Sequence, residues 1–162
     1  WLRLAVALVS PLDTLGGHLF SAHMVQHELM MVVAAPLLVI GRPLATLTWS
    51  LPPAQRRSVG RCFRARGWLR LWGTLTDPLV AWGLHALALW GWHIPAAFDA
   101  SLRSEPVHIA QHFSFLVTAL FFWWAVLGHD PRGRYGPGQA TAYLFTTMLH
   151  TGALGALSLR GR

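Results

Sequence analysis

Four apolar stretches, at about 19–40, 78–97, 106–127 and 139–159, alternate with segments that hold nearly all the arginine, and this leaves the chain few ways to fold. About 20 helical residues cross the hydrocarbon core of a bilayer. Glu28 is the single ionised side chain within the four stretches. The spacing predicts an all-α fold: one polytopic transmembrane helix bundle over 1–162, with four complete spans and a partial one at Leu2–Val9. Ser10-Pro11-Leu12-Asp13 and Gly16-Gly17 turn the chain after that partial span, and Gly41-Arg42-Pro43 closes the first full one. Both ends lie in or directly after apolar sequence, as expected of a piece of a longer membrane protein.

Composition agrees: 54% of residues are hydrophobic and 12% charged, against about 25% charged in ordinary soluble domains. All basic residues are Arg, 13 against six acids, for a formal net charge of +7. Nucleic-acid binding does not fit arginines spaced between apolar segments of spanning length, so the charge reads as topology and lipid-headgroup contact. The 41–77 loop holds seven Arg and the 128–138 loop two, while the opposite loops, 10–18 and 98–105, hold none and one. The arginine-rich side is therefore the cytoplasmic side. Cys62 to Leu75 interleaves Arg with Phe63, Trp68, Leu69, Leu71 and Trp72. That stretch is either a helix lying on the membrane surface or an unstructured basic loop. Cys62, the one cysteine, is an inert thiol with no disulfide partner in the chain.

Two pentapeptides carry the chemistry: His23-Met24-Val25-Gln26-His27 and His108-Ile109-Ala110-Gln111-His112. Residues four apart share a helix face one turn above one another, and histidine inside a bilayer is costly and kept mainly for function. At 1.5 Å of rise per residue, His23 and His27 lie roughly 6 and 12 Å below the outer surface, and His108 and His112 roughly 3 and 9 Å. His93 comes out at roughly 6 Å and His150 at roughly 13 Å. Six histidines on four helices thus fall in one outer-leaflet slab. Each alone also suits an interhelical hydrogen bond. Neutral imidazole is the commonest transition-metal ligand, and thioether beside it favours Cu(I). Met24, Met30, Met31 and Met148 are candidates for that second role, or simply packing. Gln26 and Gln111 can orient a ligand ring, and Glu28 can ligate, accept a proton or pair with a histidine. Asp77 before Pro78 reads as an N-cap followed by the first helical residue. Nucleophile elbows, phosphate-binding glycine loops and His-Glu-x-x-His are absent, so the chain does not read as an enzyme.

Phe20 to His27, Ala35-Pro36-Leu37-Leu38 and Gly41-Arg42-Pro43-Leu44 resemble the signature of the CtaG family, the assembly factors of caa3-type cytochrome c oxidase. Ser10 to Asp13, Trp92-His93-Ile94-Pro95 and Pro106 to His112 are similar to that family too, so the resemblance covers nearly the whole chain. Glu28 departs from it, standing where an apolar residue is expected. The resemblance implies a multi-pass plasma-membrane protein that helps mature a terminal oxidase and is linked to copper supply. The residues then read as copper ligands, His23, His27, His93, His108, His112 and His150, handing the ion to terminal oxidase subunits on the extracytoplasmic side. The alternatives are a b-type haem protein for electron transfer, ligated by histidines of two helices, and a structural oxidase partner without metal.

Overall fold

The computed structural model describes residues 25–128 and 136–160. Among these, every regular element is helical. The helices are α1 (Val25–Gly41), α2 (Pro43–Ser50), α3 (Pro53–Arg64), α4 (Arg66–Leu75), α5 (Pro78–Trp92), α6 (Pro95–Arg103), α7 (Glu105–Leu127) and α8 (Pro137–Arg160). The expected partial span at Leu2–Val9 and the start of the 19–40 span lie outside the described residues.

Proline sets most of the helix starts. Five helices begin on it and α7 has it at its second residue, where the missing N–H costs nothing and the fixed φ already suits a helix. Asp77 caps α5 through Oδ1, which accepts from the backbone N–H of Leu79 at 3.1 Å and of Val80 at 3.5 Å, as the Asp-Pro dipeptide predicts.

α7 is the centre of the bundle, packed against α1, α5 and α6, while α8 packs along α5. Leu89, Phe115 and Leu154 join α5, α7 and α8 in the apolar core, and Met30, Met31 and Trp92 pack against it. Several polar side chains are buried beside the apolar core while many large apolar ones are exposed. Gln26, His27, His85, Ser101 and Gln111 are buried, whereas Val32, Ile40, Leu79, Leu87, Ile109, Phe113, Phe145 and Met148 point outward.

The four expected crossings are not all matched by four long apolar helices. Glu105–Leu127, with 23 residues, is long and apolar enough to cross a membrane, and Val25–Gly41 with Pro43–Ser50 makes a second such span if the pair, bent by 41°, counts as one. α5 stops at Trp92 instead of continuing to 97, because Pro95 restricts Ile94 to an extended conformation (φ −63°, ψ 131°) and α6 starts afresh. α8 is 24 residues long but carries Thr141, Thr146, Thr147 and Thr151. Three of these hydroxyls donate to carbonyls one turn back, Thr146 and Thr147 to Tyr143 and Thr151 to Thr147, which settles their polarity within the helix.

The basic segment after α1 is helical, in three pieces. Trp72 of α4 meets Phe121 and Trp124 near the end of α7, with ring centroids 5.9 and 5.2 Å apart, and stacks on Trp68. Arg64, Arg66 and Arg70 remain exposed beside this aromatic seam.

Two local features shape α1. Its Leu29–Ala34 segment is π-helical, with the Ala35 N–H reaching Met30 O. In that pattern the donor for Met31 O would be the N–H of Pro36, which does not exist. Trp123 of α7 supplies the missing donor, its indole Nε1–H reaching Met31 O at 2.8 Å. At the far end Arg42 adopts a left-handed conformation, φ 42° and ψ 51°, between α1 and α2. A side chain there is strained where glycine is not. Arg42→Gly is expected to raise stability by about 0.5–1 kcal/mol, read from thermal unfolding of the purified protein in detergent.

Candidate metal centre

The first two turns of α7 bring His108 and His112 onto one face, with ring centroids 4.4 Å apart and ring planes at 76°. The start of α1 lies against them. His27 Nε2 is 2.8 Å from His112 Nε2, and its ring leans edge-on against Phe115 at 5.0 Å. One nitrogen from each of His27, His108 and His112 lies within 4.8 Å of the others. His27 is 3% exposed, while His108 and His112 are half-buried. The group thus has a closed side on α1 and a more open one toward the beginning of α7.

In the short His27–His112 contact one Nε2 carries the proton and the other accepts it. Two imidazoles binding one ion through these atoms, at bond lengths of 2.0–2.1 Å, place them about 3.3–3.5 Å apart. Inserting an ion therefore needs a separation of roughly half an ångström and a move of the donor ring's proton to Nδ1. Both are small changes for side chains held on two rigid helices.

The other residues singled out from the sequence fall in different places. His93, at the end of α5, puts Nδ1 2.7 Å from Leu89 O. A carbonyl only accepts, so Nδ1 bears the hydrogen and Nε2 keeps its lone pair; the ring is half-buried and stands outside the three-histidine group. His150 rests edge-on against Trp82 of α5 at 5.2 Å, one layer away from the triad. His23 and Met24 lie outside the described residues. Gln26 and Gln111 are both buried, and Gln111 Oε1 has no hydrogen-bond partner among the described residues. Glu28 is exposed although its neighbour His27 is buried. Met30 and Met31 pack against the apolar core, and Met148 is 77% exposed.

The sequence reading missed Phe115 and Trp123. Phe115 stands three residues after His112, so it shares that helix face and floors the triad. The network around it is short: Trp92 donates to Ser114 Oγ at 2.7 Å, and Ser114 donates to Gln111 O at 2.8 Å. These bonds fix the end of α5 against the α7 turn that carries His108 and His112.

Compared with known families, residues 1–161 match the cytochrome c oxidase caa3 assembly factor (CtaG) family. The chain belongs to that family. The CtaG assignment covers essentially the entire sequence and agrees with the motifs from which it was expected. Curated relatives include an uncharacterized protein of Mycobacterium bovis and one of Mycobacterium tuberculosis, each 31% identical over 147 residues, or 85% of this chain. An uncharacterized protein of Mycobacterium leprae is 29% identical over 159 residues, or 91% of this chain. The chain spans 22–24% of the length of these relatives. No solved structure matches.

Proposed function

We propose that this CtaG chain is a membrane-embedded copper-binding unit that supplies the ion to a terminal oxidase during assembly. The observation that carries the reading is the convergence of His27, His108 and His112, with ligating nitrogens within 4.8 Å of one another at one end of the bundle. An all-imidazole set suits copper or zinc, and the oxidase-assembly family favours copper as the cargo. The exposed apolar faces of α1, α5, α7 and α8 suit lipid, with the arginines of α3 and α4 on the cytoplasmic side. The triad then lies on the extracytoplasmic side.

The role is binding and transfer without bond-making chemistry. His108 and His112 face the open side and are the ligands a recipient reaches first, while buried His27 anchors the ion. His93, whose Nδ1–H the Leu89 carbonyl holds, and His23, four residues before His27 in the sequence, are the further ligand candidates in this reading. Buried Gln111, whose Oε1 has no partner among the described residues, is available to orient a ring once the ion is bound. A haem iron between His27 and His112 would need their nitrogens about 4 Å apart, twice a metal–imidazole bond, with a porphyrin plane between them. The direct His27–His112 contact favours a bare ion over haem.

The test of function is made in cells. Membranes from a strain whose full-length protein carries His27→Ala and His112→Ala are expected to hold terminal oxidase with several-fold less copper and activity, restored by copper added to the medium. Fully loaded oxidase in that strain without added copper contradicts the proposal.

A further inference from the structure

A second polar layer lies beneath the triad. Phe115, which floors His27, packs with Leu89 of α5 and Leu154 of α8 into an apolar layer. Trp82 meets His150, and further along both helices Leu89 and Leu154 share one core cluster, so α5 and α8 run parallel. His85 is four residues before Leu89, and His150 is four before Leu154. Both therefore sit one turn below the apolar layer, His85 against Thr118 and Phe122 of α7 and His150 against Trp82 of α5. Trp82, three residues from His85, touches His150, so the two histidines lie at one level of the bundle.

The hydrogen bonds show what this layer offers. His85 is buried, and its Nδ1 is 3.1 Å from Thr118 Oγ1. The single Thr118 proton is engaged by backbone carbonyls, Ser114 O at 2.8 Å and Phe115 O at 3.3 Å. Thr118 Oγ1 therefore accepts from His85 Nδ1–H, and the neutral ring presents a bare Nε2 lone pair. A histidine whose second nitrogen is pinned in this way is the usual metal-ligating arrangement. Both nitrogens of His150 and Nε1 of Trp82 are buried with no hydrogen-bond partner among the described residues. An imidazole left so is costly unless something else engages it.

We propose that His85 and His150 form a second metal site for a late first-row ion. It stands about 9 Å from His112 along α7, the six-residue distance to Thr118. The site is distinct from the triad, being separated from it by the Phe115–Leu89–Leu154 layer. Its donors are neutral imidazoles with no carboxylate or thiolate among the residues named, which favours a singly charged ion, because the cost of burying charge rises with its square. Cu(I) is the ion of that description that imidazole binds. The bundle would thus hold two ions in sequence, one at its mouth and one inside.

The two sites share no residue, so each can fail alone. Anaerobic titration of the detergent-purified full-length protein with Cu(I), against a chromophoric chelator, counts the equivalents bound. His85→Gln and His150→Gln are each expected to remove one equivalent relative to the parent, and His27→Ala with His112→Ala to remove a different one. Thr118→Val, close in shape to the parent, keeps both imidazoles but releases His85 Nδ1, and is expected to weaken the inner equivalent about 10–100-fold. Parent stoichiometry and affinity in His85→Gln and His150→Gln overturn the inner site. If either Gln variant fails to fold, unchanged affinity in Thr118→Val does the same. Loss of one equivalent in the Gln variants, with none lost in the His27/His112 variant, upholds the inner site and overturns the triad reading alone.

Discussion

Replacing His27 and His112 together by Ala is expected to abolish copper binding at the triad, with a loss of affinity of at least a hundredfold. Two of three converging ligands disappear, leaving His108 alone, and a single imidazole gives no chelate. The fold is expected to survive better than burial alone suggests. His27 and His112 satisfy one another across the α1–α7 contact, so removing both leaves no orphaned nitrogen in that pair. Removing His27 alone leaves His112 Nε2 without the His27 contact and is expected to destabilise more per side chain deleted. Copper titration gives the first quantity and thermal unfolding in detergent the second. An undiminished number of copper equivalents in the double variant would show that the triad is not a copper site.

The second large effect concerns what surrounds the bundle. Phe113 is 67% exposed on α7, and Met148, midway along α8, is 77% exposed. On a water-facing surface an Asp at either position changes stability by no more than about 0.5 kcal/mol. At the centre of a membrane helix it costs about 2.5–3.5 kcal/mol, on the order of a hundredfold in the insertion equilibrium. Phe113→Asp and Met148→Asp are therefore expected to deplete the protein sharply from the membrane fraction. Undiminished, folded protein there in both variants would mean that these faces do not contact lipid.

The sequence made the triad legible because i, i+4 spacing is a statement about helix faces, and His108 and His112 needed only α7 to be a helix. His27 followed from a matching depth on a neighbouring span. Depth alone could not sort His93 and His150, because rise per residue locates a side chain along a helix axis and says nothing about its direction around that axis. His150 consequently faces Trp82 and the His85 layer. The α1 π turn was hidden for a related reason. A uniform period of 3.6 residues assumes that each carbonyl finds its donor, and Pro36 removes one, which only the partner Trp123 on a distant helix restores. The cap at Asp77 was readable because its chemistry is entirely local. The break after Trp92 had its signal in Ile94-Pro95, overridden by the apolar run on either side. In the basic segment, aromatic and arginine interleaving pointed to a helix, found as α4, whereas α3, whose apolar residues are few, gave no such pattern.

X-ray absorption at the copper edge reads the triad alone on full-length protein carrying His85→Gln and His150→Gln and loaded with one equivalent of Cu(I), with His27→Ala and His112→Ala added to the same background for comparison. Three nitrogen neighbours at about 2.0 Å, with the outer-shell scattering of imidazole rings and loss of that signal in the His27/His112 variant, is the result expected. A first shell dominated by sulfur, or an imidazole signal unchanged in that variant, would contradict it.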